Sequence, residues 1–316
     1  MKRKPAIAGL CAWLALTSHV AAKESDAEKV AKVAASMREM ADQGYHSEYG
    51  RAPSWYLADH RKLATSIAAL APQRPGVVDA YVVAIGLDSD GVFGREAAEA
   101  SRVLARRYDA AGRTILLAAG PNGEQATAAN GSPQNLATAI SAVAAAMDVK
   151  EDVLVLFTTS HGDADSGLAY RDEEFGNGMI GPGRLRAMLD GSGIQRRMVI
   201  ISACYSGIFV PALRSDSSVV ITAASDWTTS FGCNAGNDWT FFGDALINNA
   251  MRKNDPLVVA ARKAFGLIEN WERKIAITRS RPQLFVGRDA KDWLGPLEKR
   301  TPKETSEKVG RPSLRL

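Results

Sequence analysis

The feature that most constrains this chain is a series of short, nearly unbroken apolar runs separated by helical patterns. Residues 77–85, 114–119, 153–159, 198–202 and 219–223 are dominated by aliphatic and β-branched side chains, and residues 283–286 form a sixth, shorter run. A strand with one face in water alternates apolar and polar residues, whereas a strand without alternation is covered on both faces. Between the runs lie helical stretches at residues 94–108, 132–147, 182–189, 239–251 and 256–271; Ser132 is placed to cap the second, with Pro133 at its first position. Strands covered on both faces and separated by helices predict an α/β fold with a mainly parallel, six-stranded sheet. The chemistry of such sheets sits beyond the carboxyl ends of the strands.

The flanks have a different character. Residues 23–75 read as a small helical N-terminal region, with one amphipathic helix from Lys23 to about Gln43. A second helix covers residues 54–70, with Ser54 as its N-cap and Pro72 and Pro75 beyond its end. Packing against the main domain and service as a pro-segment are both open to this region. Residues 288–316 are polar and basic, and are expected to form a flexible tail.

Residues 1–22 have the pattern of a secretory signal. Lys2, Arg3 and Lys4 precede an apolar run from Ala6 to Leu16, and Val20 and Ala22 stand at the small-residue positions before a cut after Ala22. The apolar run is shorter than the roughly 20 residues of a membrane-spanning helix. A secreted or periplasmic protein is therefore expected, with no membrane span once the signal is removed. Its loss lowers the net charge from +4 to +1, which removes the case for a nucleic-acid partner. No cofactor is expected: Gly120-Pro121-Asn122-Gly123 lacks both the dinucleotide fingerprint and a phosphate-loop lysine. The three cysteines lack the paired spacing of a structural zinc site.

Two strand ends carry reactive side chains. The run 153–159 leads into Ser160-His161-Gly162-Asp163, and the run 198–202 into Ala203-Cys204-Tyr205-Ser206-Gly207. The 43 residues from His161 to Cys204 suffice for one crossover, so the two strands are expected side by side with both side chains at one cleft. A thiol is a useful nucleophile only when partly ionised, and a nearby imidazole or helix N-terminus favours the thiolate. His161 can protonate a leaving amine. Gly162 admits close backbone approach, which makes its N–H and that of Cys204 candidate oxyanion donors. A metal site from His161, Asp163, Asp165 and Cys204 mixes hard and soft ligands at no recognised spacing, so none is expected.

This pairing of an apolar strand plus His-Gly with an apolar strand plus Ala-Cys resembles the caspase-like clan of cysteine peptidases, and within it the legumain (asparaginyl endopeptidase) family. Gly167-Leu168-Ala169-Tyr170 after His161-Gly162, and Ser206-Gly207 after Cys204, are similar to that family's segments, and the likeness spans residues 77–287. Ile221-Thr222-Ala223-Ala224, Ser230-Phe231-Gly232-Cys233 and Asp238-Trp239 resemble its pocket-lining strand and loop, and Arg95 stands where it places a pocket arginine. The resemblance implies a caspase-like three-layer sandwich over residues 76–287 and a cysteine endopeptidase acting on peptides or proteins. It further implies a substrate pocket from Arg95, Ser202, Ser230 and Asp238 for a P1 residue such as Asn or Asp. Two positions depart from the family: Ser202 stands where it has an acidic residue, and Glu96 follows Arg95 where it has histidine. A transpeptidase using the same dyad and a non-catalytic binding module are the alternatives.

Four further features have modest readings. Asp88-Ser89-Asp90-Gly91 reads as a turn, and Asp163 and Asp165 as a solvated loop beside the cleft. Trp55, Trp227, Trp239, Trp271 and Trp293 share no spacing and are expected in the core. A Cys204–Cys233 disulfide would silence the nucleophile, and the two are expected to stay thiols.

Overall fold

The computed structural model describes residues 25–120 and 127–314, so the signal and its cut after Ala22 lie outside the described residues. Helix α1 (Asp26–Gln43) opens on a capping box in which Ser25 and Glu28 satisfy each other's backbone N–H groups, and it closes on Gly44 at φ +78°. Strand β1 (His46–Glu48) and helix α2 (Pro53–Ala68) follow. Ser54, expected as the N-cap of α2, lies inside the helix. Ala52 takes the cap position without a side-chain bond, because Pro53 at the first position fixes φ and needs no partner for an absent N–H.

The main body then runs β2 (Ala80–Gly86), α3 (Gly91–Arg107), β3 (Thr114–Ala118), α4 (Pro133–Ala146) and β4 (Val153–Thr159). The short strands β5 (Gly162–Asp163), β6 (Gly167–Asp172) and β7 (Gly176–Ile180) lead to α5 (Pro182–Gly191) and β8 (Arg197–Ser202). The chain continues through α6 (Phe209–Leu213), β9 (Ser218–Thr222), a π-helical segment Gly243–Ala250, α7 (Leu257–Lys274), β10 (Gln283–Val286) and α8 (Lys291–Lys299). Six of these strands form one sheet in the order β10-β9-β8-β4-β2-β3. All neighbours are parallel except β10, which runs antiparallel to β9 at the edge.

Every residue of β2, β4, β8 and β9 is buried. Alternate side chains feed two cores. Val82, Ala84, Val155, Phe157 and Ile200 pack with α3, α7, α8 and the π-helical segment, whereas Val83, Ile85, Leu154, Leu156 and Ile201 pack with α4, α5 and α6. The result is the expected α/β sandwich: a mainly parallel six-stranded sheet between two helical layers. Among the described residues no helix is long and apolar enough to cross a membrane.

Three features depart from expectation. A second, antiparallel sheet of order β1-β7-β6-β5 stands beside the main one and draws the N-terminal region into the body through β1. Helix α1 adds a cap to α5, where Asp42 accepts from the Gly183 N–H at 2.7 Å. Of residues 288–316, expected as a flexible tail, the described residues 291–314 instead fold into α8 and a docked strap. Helix α8 buries Trp293, Leu294 and Leu297. The strap has few apolar residues, but buried polar side chains meet its backbone. The Trp239 indole N–H donates to the Val309 carbonyl (2.7 Å), the Val309 N–H to Asn248 (3.0 Å), and the Ser313 N–H to Asp244 (2.8 Å). Finally, Trp239 and Trp293 lie in the core, but Trp227 is 60% exposed, with the Arg281 guanidinium 4.6 Å from its ring centre.

Candidate active site

The register of β4 against β8 brings the two strand ends together. Thr159 lies opposite Ser202, and the Ser160 N–H donates to the Ser202 carbonyl at 3.1 Å. His161 and Cys204 each stand two residues beyond that rung, at the carboxyl edge of the sheet. Gly162 abuts the nucleophile's segment: a Cβ there would fall 2.1 Å from the Cys204 carbonyl oxygen, so only glycine fits. Gly162 pairs with Leu168, and the flanking bond from the Ala169 N–H to the His161 carbonyl (3.0 Å) makes this a non-hydrogen-bonded pair. The Gly162 N–H therefore points away from β6.

The chain turns sharply after Cys204. Tyr205 adopts φ +52°, a single 3-10 turn spans Ser206–Ile208, and α6 has only five residues. A Cβ on Gly207 would fall 2.5 Å from the Asp226 backbone nitrogen, so glycine lets the loop after β9 lie across the turn. That loop, not a helix N-terminus as expected, supplies the polar contacts to the sulfur. The Ser230 N–H donates to Cys204 Sγ at 3.3 Å, and the Cys204 thiol donates to the Ser230 carbonyl at 3.5 Å. Both cysteines are free. The influence of the Cys233 thiol, against the opposing effect of burial, and then the Ser230 N–H and the charge of His161 lower the Cys204 pKa to about 6. The influence of Cys204, together with burial, pushes the Cys233 thiol up.

His161 is held from behind. Its Nε2 lies 3.5 Å from Asp90, and its ring meets Phe93 edge-on with centroids 5.0 Å apart. Asp90 and Phe93 were not singled out in the sequence; Asp90 was read only as part of a turn, and its place just beyond β2, the neighbour of β4, was the available signal. Asp88, Asp90 and His161 lie close enough to hold a cation, but Arg171 donates to both carboxylates at 2.8 Å and meets their charge itself. Asp163 accepts from the backbone of Asp165 and Ser166, and Asp165 pairs with Arg38 of α1 at 2.9 Å.

The expected pocket residues divide. Ser230 touches the Cys204 sulfur. Ser202 does not face the cleft: it is 2% exposed and turns beneath the site toward Thr240, 3.2 Å away. Arg95 donates to the carbonyls of Ala235, at 2.8 Å, and of Asn237, and lies 3.8 Å from Asp238. Asp238 is taken up by Arg311 of the C-terminal strap, whose guanidinium and backbone N–H hold its pKa down at about 2, with Arg95 adding to the effect. The buried Glu96 was noted only as a departure from a family pattern. It accepts from the Thr159 hydroxyl and the Thr240 N–H, each at 2.9 Å, beneath both catalytic strand ends.

Residues 129–273 match the family model described as Peptidase C13 family. That segment contains His161, Cys204, Ser230 and Asp238, and leaves out Asp90 and Arg95. Curated protein sequences return no significant match. Among solved structures, caspase-1 from Spodoptera frugiperda is similar at 10% identity and TM-score 0.44, over 68% of this chain and 92% of that one. A secreted C11 cysteine protease from Bacteroides thetaiotaomicron, solved with an irreversible peptide inhibitor, is similar at 15% identity and TM-score 0.38, over 62% of this chain and 60% of that one. At these identities and scores neither likeness bears on the chemistry. The C13 match over the two strand ends does, and it supports a cysteine peptidase that acts on peptides or proteins.

Proposed function

We propose that the chain is an endopeptidase in which Cys204 attacks the scissile carbonyl and His161 protonates the departing amine. The observation that carries this reading is the shared rung: His161 and Cys204 follow Thr159 and Ser202 at the same distance on adjacent parallel strands, and the thiol pKa is lowered to about 6. A thiolate at neutral pH is the reactive form. With Nε2 directed at Asp90, Nδ1 is the nitrogen that delivers the proton. The acyl-enzyme then yields to water activated by the neutral imidazole. The N–H groups of Gly162 and Cys204 are the oxyanion donors, and the orientation of Gly162 away from β6 supports that role.

A P1 preference for Asn or Asp belongs to the same reading. Arg95 supports it, since a side-chain carbonyl can replace the Ala235 and Asn237 carbonyls it now engages. Asp238 is bound to Arg311, so it serves that pocket by fixing the loop more than by accepting from substrate. Export to the periplasm or beyond completes the proposal, on the strength of the leader pattern before Ala22.

Kinetics on a P1-varied peptide library provide the test. Cys204→Ala and His161→Ala are expected to abolish turnover, with cleavage by the wild type confined to small polar P1 residues. Full activity in either variant overturns the dyad, and a P1 preference for Arg or Lys overturns the pocket. N-terminal sequencing of the exported chain is expected to begin at Lys23.

A further inference from the structure

We propose that Arg311 of the C-terminal strap is a specificity-determining residue: by taking up Asp238 it turns the P1 pocket toward an acidic side chain, aspartate in preference to asparagine. The inference rests on Arg95 and Asp238 lining that pocket, and it deepens a reading that takes Asn and Asp together.

The strap carries Arg311 to Asp238 along a fixed path. Arg106 of α3 donates to the Glu304 carbonyl at 2.7 Å, and the Ser306 N–H donates to the Arg252 carbonyl at 3.3 Å. The N–H and carbonyl of Val309 are then bound by Asn248 and Trp239. Gly310 follows at φ +76°, and a Cβ there would fall 3.1 Å from the Asp238 Cβ, so glycine lets the backbone turn directly over Asp238. Beyond Arg311, Ser313 places both its N–H and its hydroxyl on Asp244.

Between these anchors Arg311 closes on Asp238 with three donors. Its backbone N–H and Nε donate to Oδ2 at 2.7 and 3.0 Å, and its Nη2 donates to Oδ1 at 2.9 Å. Nη2 also donates to the Gly236 carbonyl at 2.7 Å. A guanidinium fork on a carboxylate is the strong, directional form of this contact. Arg95 approaches the same carboxylate from α3, its Nε 3.8 Å from Oδ1.

The two P1 side chains ask different things of such a pocket. An asparagine amide accepts through its carbonyl and donates through its nitrogen, whereas an aspartate carboxylate only accepts. A donated amide N–H needs a free acceptor, and the acceptors of this loop are taken. Arg311 holds Asp238 and the Gly236 carbonyl, Arg95 holds the Ala235 and Asn237 carbonyls, and the Asn237 amide donates to the Gly232 carbonyl at 3.0 Å. Donors remain. Arg95 Nη1 makes no hydrogen bond among the described residues, and Gly91, where a Cβ would fall 2.7 Å from it, leaves it room. The Ser230 hydroxyl can donate or accept and so serves both side chains alike.

Charge points the same way. Two guanidiniums, Arg95 and Arg311, face the one carboxylate of Asp238, and an aspartate side chain neutralises the excess where an asparagine cannot. Asp88 and Asp90, beside His161, are already met by Arg171 at 2.8 Å each. Without Arg311 the balance reverses, because Asp238 then offers free lone pairs to an amide and its charge opposes a P1 carboxylate.

The test is kcat/KM near neutral pH for two peptides that differ only in Asp or Asn at P1, in the full chain and in Arg311→Gln and Asp238→Asn. The wild type is expected to favour the Asp peptide about tenfold, the size of one partly screened charge-assisted contact. Arg311→Gln is expected to bring that ratio to about one or below, with the loss falling on the Asp peptide. Asp238→Asn leaves both guanidiniums without a counter-charge and is expected to raise the Asp preference above the wild-type ratio. A wild type that prefers Asn overturns the proposal. So does an Arg311→Gln variant that slows both peptides by the same factor, which is what a contact that only fixes the loop would give. An Asp238→Asn variant that shifts toward Asn overturns it as well, with Arg311 in place. A wild type with no selection for small polar P1 residues, or turnover by Cys204→Ala, would instead overturn the pocket or the nucleophile on which the inference rests.

Discussion

Glu96 offers a prediction whose sign and size both follow from its surroundings. The carboxyl is 0% exposed and accepts from the Thr159 hydroxyl and the Thr240 N–H. Burial pushes its pKa above the ordinary 4.5, with the Ser202, Thr240 and Thr159 donors opposing. A group whose folded-state pKa is raised favours the fold while protonated, and that contribution is lost as pH rises through the folded value. Glu96→Gln keeps a neutral group of the same shape: its carbonyl accepts from the Thr240 N–H, and the Thr159 hydroxyl rotates to accept from its amide. Below pH 4.5 wild type and Glu96→Gln are therefore expected to melt together. Above it the wild type falls behind by about 1.4 kcal/mol for each pH unit up to its folded pKa, and the gap is constant beyond that.

Glu96→Ala behaves differently, because it leaves a buried N–H and a buried hydroxyl without an acceptor at about 1–3 kcal/mol each. Relief from burying a carboxyl offsets part of this, so a net loss of about 2–3 kcal/mol is expected, or a fall in Tm of roughly 5 °C. Thermal unfolding of the three proteins by circular dichroism from pH 4 to 8.5 measures both effects, since the difference between variants cancels every other titrating group. Parallel melting curves for wild type and Glu96→Gln across that range would refute the argument.

Three other substitutions probe the site and its frame. Gly162→Ala drives a Cβ to 2.1 Å from the Cys204 carbonyl, and the displacement of either strand end is expected to lower kcat/KM about 100-fold, read by steady-state kinetics. Asp90→Ala removes the carboxylate behind His161, so kcat is expected to fall about tenfold with KM nearly unchanged, and Asp90→Asn, which keeps an acceptor, to recover part of the loss. Asp42→Ala deletes the cap that α1 supplies to α5 and is expected to cost about 1 kcal/mol in chemical denaturation, with alkylation of Cys204 unaffected.

Much of the scaffold was legible in the residues alone. The runs at 153–159 and 283–286 are strands over those same residues, and Ser132 caps α4 with Pro133 at its first position. The small sheet was not legible. Gly167-Leu168-Ala169-Tyr170-Arg171-Asp172 and Gly176-Asn177-Gly178-Met179-Ile180 carry too few consecutive apolar residues to mark strands. Their partner β1 lies far upstream, so only pairing identifies them. The strap was misread for a related reason. A polar segment looks disordered when its partners are polar side chains buried in another part of the chain, as Asp244 and Asn248 are.

The order of apolar runs and helices, by itself, determined a mainly parallel sheet and put His161 and Cys204 at strand ends, because a strand buried on both faces cannot hide its pattern. Only the tertiary structure decided what those side chains meet. Ser202 turned inward to Thr240, Asp238 went to Arg311, and Asp90 came to stand behind His161. The physical reason is range. Burial of a strand is encoded in neighbouring residues, whereas the charge state and orientation of a reactive group depend on donors, carboxylates and guanidiniums brought in from distant segments by folding.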